Sequence, residues 1–315
     1  MAETVKVAIV QSGPVYLDRA GSLRRALTLL AEAAAGGAQL VVFGETWFSG
    51  YPIWLDICPG AGLWNDPAVK QVYARTHAQA LTLPGPETEE LGAFARKHNL
   101  AIAFGANESI PVGPGNGTLY NALVIIGPEG KMRVHHRKLM PTHGERLVHG
   151  TGDGHGLKSV DLGFARVGGL ICWEHWMPLT RQAMHDQGEQ IHLALWPQVK
   201  EQNALASQHY ALEGRCFVVA VGQTMAVSEL PGELETPAEL RGVDPQTLIL
   251  RGGSCAYGPD GRELLAPQRD REGLIWLEID DLDACVRERM NLDVSGHYQR
   301  RDVFDFSVDD RRRGK

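Results

Sequence analysis

Two short apolar runs with an amphipathic segment between them constrain this chain more than any other feature. Val5 to Val10 and residues 39–43 are short and strongly apolar and read as buried strands. Between them, residues 18–35 place Leu23, Ala26, Leu27, Leu30 and Ala34 at the spacing of one helix face, and Gly36-Gly37 ends the run. Strand, helix and strand in such quick succession form a βαβ unit, which implies a right-handed crossover and parallel pairing. The fold class expected is therefore α/β.

The pattern continues downstream. Asp66-Pro67 supplies a cap and a first helical residue for a helix reaching Ala80; Pro84-Gly85-Pro86 breaks it, and a second helix covers 87–98. Residues 100–106, 119–126, 131–136, 158–162, 165–171, 191–196, 217–221 and 274–279 read as strands. Helices are expected over 179–187, 201–215 and 282–290, and Gly258-Pro259-Asp260-Gly261 marks a hairpin. Residues 228–250 are acidic and contain proline, as an exposed insertion would. No linker-like stretch divides the chain, so residues 1–300 are read as one domain and 301–315 as a C-terminal tail.

Chemistry is expected where strands end. The run 165–171 is apolar and contains glycine, like a central strand covered on both faces. It leads into Cys172-Trp173-Glu174-His175-Trp176-Met177-Pro178, and Pro178 suits an early helical position. A thiol between strand end and helix start lies where ligands gather in α/β sheets, and local N–H groups with the helix dipole favour its thiolate. From the cysteine alone, an inert buried thiol is the alternative. Glu45 follows the strand 39–43, where it is either a catalytic carboxylate or a surface acid. Lys138 ends the strand 131–136, and Glu145 follows across a proline-containing loop. His135 and His136 are adjacent in a strand and point to opposite faces, so they do not share an ion, and no metal is expected.

Composition excludes several classes. Hydrophobic residues make up 43% of the 315, which suits a globular chain. A net charge of −7 argues against nucleic acid as a partner. The basic run Arg311-Arg312-Arg313, with Lys315, reads as a solvated tail. Cys58, Cys172, Cys216, Cys255 and Cys285 are scattered and odd in number, which suits a reducing compartment. The first residues lack a basic and an apolar export region, and no apolar run approaches a membrane span. A cytoplasmic protein with no membrane partner is expected.

Taken together, three segments resemble the nitrilase (carbon–nitrogen hydrolase) superfamily. They are Phe43-Gly44-Glu45-Thr46-Trp47-Phe48-Ser49-Gly50-Tyr51-Pro52, His136-Arg137-Lys138-Leu139-Met140-Pro141-Thr142, and Gly168-Gly169-Leu170-Ile171-Cys172-Trp173-Glu174-His175. The last resembles the nitrilase and cyanide-converting branch in particular. The resemblance implies a four-layer α-β-β-α sandwich, no cofactor, and a homo-oligomer built from dimers. It implies Cys172 as nucleophile, Glu45 as general base, Lys138 as the cation for tetrahedral intermediates, and Glu145 as its orienting partner. The N–H of Trp173 is a further expected donor. Trp173, Tyr51, Trp54, Trp176, Trp196 and His297 are candidates for substrate contacts in an apolar pocket. The expected substrate is a small nitrile, converted to acid and ammonia. An amidase, a cyanide-converting enzyme and a non-catalytic binding member are the alternatives.

Overall fold

The computed structural model describes residues 4–313. The first βαβ unit forms as the apolar pattern requires: strand β1 (Val5–Val10), helix α1 (Arg19–Ala35) and strand β2 (Leu40–Phe43), with β1 and β2 parallel. Asp18 caps α1 by accepting the N–H of Gly21. A short helix α2 (Trp54–Ile57) and helices α3 (Pro67–Gln79) and α4 (Pro86–His98) lead to β3 (Ala101–Ser109), β4 (Leu119–Ile126) and β5 (Met132–Arg137). The second half contains β6 (Val160–Asp161), β7 (Arg166–Ile171), α5 (Pro178–His185), β8 (Ile191–Leu195), α6 (Glu201–Gly214) and β9 (Phe217–Val221). It continues with β10 (Thr224–Ala226), β11 (Leu248–Tyr257), β12 (Glu263–Arg269), β13 (Leu274–Ile279) and α7 (Ala284–Glu288).

These strands build two mixed sheets. One has the order β13-β1-β2-β3-β4-β5; the other runs β10-β11-β9-β8-β7-β6, with β12 on β11. Strand periodicity sorts side chains between layers. Val7 and Ile9 face the second sheet and pack in one cluster with Val167, Leu170, Leu193 and Val219, while Ala8 and Val10 face outward and pack with Leu30 of α1 and Leu91 of α4. Tyr210 and Ala206 of α6 cover the second sheet. The result is the four-layer α-β-β-α sandwich.

Three expectations need correction. The strand before Cys172 is covered on both faces but is not central: only the two-residue β6 lies outside it. Residues 228–250 are not wholly solvated, because Leu230 and Leu234 pack against the cluster containing Trp54 and Val148. The basic run is also not free. Arg312 pairs with Asp153 at 3.2 Å with both side chains largely buried, and the Arg313 N–H donates to Asp153 at 3.0 Å. Buried Asp153 recruits this charge because a carboxylate taken from water needs a partner. Lys315 lies outside the described residues. Among the described residues, no helix is long and apolar enough to cross a membrane.

Backbone strain gathers on the loops at the strand ends. Thr46, His143 and Cys172 have φ of 45°, 41° and 54°, a left-handed conformation that side-chain-bearing residues adopt at a cost. The loop after β2 also depends on Gly105 of β3. A Cβ there would lie 2.4 Å from the Thr46 nitrogen and 2.5 Å from the Gly44 oxygen, both backbone atoms. Gly105→Ala is therefore expected to cost about 1–3 kcal/mol of stability by overpacking. Thermal unfolding checks this, and an unchanged Tm would show that the loop can yield.

Candidate active site

Four side chains from distant parts of the sequence meet at one edge of the sandwich. Glu45 follows β2, Lys138 follows β5, Glu145 lies in the 3-10 turn His143–Leu147, and Cys172 follows β7. All four are buried. Ligand atoms of Glu45, Glu145 and Cys172 lie within 4.8 Å of one another. Lys138 Nζ donates to Glu45 Oε1 at 2.9 Å and to Glu145 Oε2 at 2.7 Å. A metal ion could use the same acidic groups, but the ammonium already stands between the two carboxylates.

Each group is held from several sides. Glu45 Oε1 also accepts Asn121 Nδ2 at 2.7 Å, and the Glu45 carbonyl accepts Gln223 Nε2 at 2.7 Å. Glu45 Oε2 has no hydrogen-bond partner although it is buried. Glu145 Oε2 accepts the Thr142 N–H at 3.0 Å, and Glu145 Oε1 accepts the Tyr51 hydroxyl at 2.9 Å. The Lys138 N–H donates to the carbonyl of Asn121 at 2.8 Å, which ties its backbone to β4.

Burial decides where the protons sit. It pushes the Glu45 carboxyl up to about 7, against the pull of Lys138 and with the help of Glu145. It also acts against the Lys138 ammonium, but Cys172, Glu45 and Glu145 outweigh it and hold that pKa well above the usual lysine range. Burial likewise opposes the charge on Glu145, yet Lys138 holds this carboxyl below its ordinary value. The Cys172 thiol is pushed well above its usual range, first by burial and then by Glu45. The expected resting thiolate is thus corrected to a thiol. The N–H of Trp173 does favour the thiolate, but it is the weakest of these influences. The 3-10 turn Cys172–Trp176 also separates the cysteine from the start of α5 at Pro178.

A cavity of about 520 Å³ opens onto Cys172 and Glu145. Tyr51 and Trp173 line it, and Trp173 is half exposed at its mouth. Its remaining wall mixes Ile53, Pro197 and Leu250 with Asp56, Lys200, Glu201 and Asn203, so apolar surface and charged groups share the pocket. The other aromatic candidates stand outside this lining. Trp54 is fully buried with Leu17, Val72 and Val148. Trp176 packs on the central core, and Trp196 stacks on His175 at 5.0 Å. Large rings gain more from a dry core than from a wet rim, which accounts for their placement. His297 is exposed beside Tyr298 and is not part of the cavity wall.

Sequence reading gave no role to Glu174, which joins two of the loops. Its carboxylate accepts the Leu139 N–H at 2.8 Å, next to Lys138, and the Ile171 N–H at 2.8 Å, next to Cys172. His136 Nε2 lies 3.0 Å from both of its oxygens. Burial works against this charge, but His136 and the two N–H groups prevail and hold the carboxyl below its ordinary value. Asn121 was also missed; its signal is a lone amide in the otherwise apolar run Ala122-Leu123-Val124-Ile125-Ile126.

Because Glu174 is lowered on folding, its contribution to stability is full above the ordinary carboxyl pKa and is lost as pH falls through the lowered value. Glu174→Gln would set an NH₂ group against a backbone N–H, leaving a buried donor unpaired. It is expected to cost about 1–3 kcal/mol. Urea unfolding at neutral pH checks this; equal midpoints for variant and wild type would refute the clamp.

Comparison with known proteins agrees with this geometry. The family model described as "Carbon-nitrogen hydrolase" matches residues 6–285. An aliphatic nitrilase from Rhodococcus rhodochrous is 36% identical over 98% of this chain and 83% of its own length. An arylacetonitrilase from Fusarium vanettenii is 34% identical over 98% of this chain and 94% of its own. Among solved structures, a CN-hydrolase superfamily protein from Xanthomonas campestris, with an arsenic adduct in its active site, is similar in fold. Its TM-score is 0.67 at 19% identity, covering 97% of this chain and 99% of that one. With the family model spanning most of its length, the chain belongs to the carbon–nitrogen hydrolase family.

Proposed function

We propose that this protein is a nitrilase, hydrolysing a small organic nitrile to a carboxylic acid and ammonia through a thioester on Cys172. The observation that carries the reading is the unpartnered Glu45 Oε2, buried in a group whose donor atoms lie within 4.8 Å and include the Cys172 sulfur. The nitrilases at 34–36% identity support the substrate class. As part of the same reading, residues 1–300 act as one hydrolase unit carrying the tail 301–315, in a cytoplasmic homo-oligomer built from dimers. Leu179, Leu205 and Leu212, exposed on α5 and α6, support the assembly.

The steps follow from the proton positions. Glu45 takes the thiol proton as sulfur bonds to the nitrile carbon, and returns it to nitrogen, giving a thioimidate. A water then adds at the same carbon while Glu45 accepts its proton. Once protonated, the nitrogen leaves as ammonia, and the carbon–oxygen double bond of the thioester forms. A second water expels sulfur, which regains a proton as the acid departs. Lys138 stabilises charge on the tetrahedral centre, and Glu145 keeps its ammonium aimed. Two waters are consumed per nitrile, and the thiol is regenerated.

Cys172→Ala is expected to abolish turnover while circular dichroism stays native; a folded variant with wild-type activity would refute the assignment. Carbon NMR with parallel ammonia counting should show acid as the main product from an unsubstituted nitrile, whereas dominant amide would overturn the proton-donor role of Glu45. The base must be ionised, and its pKa is about 7. The kcat/KM for a neutral nitrile should therefore fall as pH drops below about 7, approaching tenfold per pH unit. A flat profile down to the ordinary carboxyl range would exclude Glu45 as the base.

A further inference from the structure

The catalytic steps leave unused a line of buried ionisable groups that begins at the carbonyl of Cys172. His175 Nδ1 lies 2.7 Å from that carbonyl oxygen. His175 Nε2 lies 2.9 Å from His192 Nε2, and His192 Nδ1 lies 3.0 and 2.9 Å from the two carboxyl oxygens of Glu189. The Tyr210 hydroxyl also donates to Glu189. His175, His192, Glu189 and Tyr210 are all buried, and none lines the cavity. Trp196 stacks on His175 and Tyr210 on His192, at 5.0 and 3.7 Å between ring centres, so neither imidazole can readily rotate out of line.

Proton counting leaves little freedom. A carbonyl only accepts, so His175 Nδ1 carries a proton. The contact between the two Nε2 atoms needs one proton and excludes two. The contact between His192 Nδ1 and Glu189 also needs one. Removing a proton sets two lone pairs against each other, and adding one sets two N–H groups against each other. The chain therefore holds one proton per link and is neutral as a unit.

We infer that Glu189, His192 and His175 are positioning residues for the hydrolytic reaction: a directional, one-proton-per-link chain that anchors the Cys172 carbonyl and so holds the left-handed turn presenting the thiol to Glu45. The inference rests on Cys172 being the nucleophile. The φ of 54° at Cys172 is the conformation that needs such an anchor. Burial pushes Glu189 up to about 8 and His175 down to about 3, and lowers His192 strongly. These directions select a carboxylic acid and two neutral imidazoles. Burial outweighs the surrounding charges: Glu174 raises and Arg181 lowers His175, His185 lowers and Glu174 raises His192, and His185 and Arg289 lower Glu189. Arg181 and His185 are engaged by Glu213, at 2.6 and 3.1 Å. Glu174 is held by His136, and Arg289 acts on the Glu189 end.

The test uses Glu189→Gln and Glu189→Leu in the full-length protein. Glutamine keeps an acceptor for Tyr210 and a donor for His192, so the direction of the chain survives; leucine ends it. Alkylation of Cys172 by iodoacetamide, followed by peptide mass spectrometry, should be within about threefold of wild type in Glu189→Gln and about tenfold slower in Glu189→Leu, as expected for losing a hydrogen bond that aims a reacting group. In ¹⁵N-histidine-labelled wild-type protein, His175 should show the Nδ1–H tautomer. That tautomer should persist in the glutamine variant, which decides the matter even where the leucine variant fails to fold. A folded leucine variant alkylated at the wild-type rate, a glutamine variant as slow as leucine, or an Nε2–H tautomer at His175 would overturn the inference. None of these readouts uses a nitrile, so an error in the substrate assignment would be seen separately.

Discussion

The site depends on one ammonium ion held between two carboxylates away from water. Lys138 reaches Glu145 at 2.7 Å and Glu45 at 2.9 Å, with all three groups buried. In such a medium, removing one partner strands a charge, so the groups stand or fall together. One carboxylate suffices to balance the ammonium. Glu145 takes that part, through Thr142, Tyr51 and Lys138. Glu45 is left near its titration point with an open lone pair, which a base needs. Charge balance, more than any single contact, thus divides the work between two similar carboxylates.

Assembly of this group requires the sandwich itself. Glu45 and Lys138 hang from the first sheet and Cys172 from the second, so sheet packing sets the distance between base and nucleophile. Glu174 fastens the joint by accepting backbone N–H groups beside Lys138 and beside Cys172. Strained backbone at Thr46, His143 and Cys172 occurs on the three loops that carry the group. Thr46 and Cys172 are held in place by burial, and the Cys172 carbonyl also by His175, as strain of this kind requires.

Much of this was legible in the sequence. The alternation in Val5–Val10 carries both inner and outer core positions, and the cap at Asp66 marks a helix start as the structure has it. The motif segments locate Glu45, Lys138 and Cys172, and Glu145 follows the second of them; the fold brings all four together. The protonation of Cys172 was not legible, because desolvation comes from residues remote in sequence. Tyr51 and Trp173 do line the cavity, whereas Trp54, Trp176 and Trp196 do not, for a related reason. Composition shows that Trp54 and Trp196 are large and apolar, but not whether the nearest dry space is a pocket or a core. Glu174 escaped notice because two of its partners are backbone N–H groups, which are the same for every residue type, and the third, His136, is far away in the chain. The docking of Arg312 depends on Asp153, far away in the chain, and local charge patterning is blind to it.

The depth at which Cys172 sits has a consequence for chemical selectivity. Reagents that discriminate among thiols by acidity seek exposed, ionised sulfur. Here all five cysteines are buried, and the functional one rests as a protonated thiol. Its reactivity is conditional: a molecule must bring an electrophilic carbon to the buried sulfur while Glu45 removes the proton. Burial and the need for proton transfer then slow reagents that seek a thiolate. Sparing the nucleophile from indiscriminate damage thus follows from its burial and its protonation, without any dedicated shield.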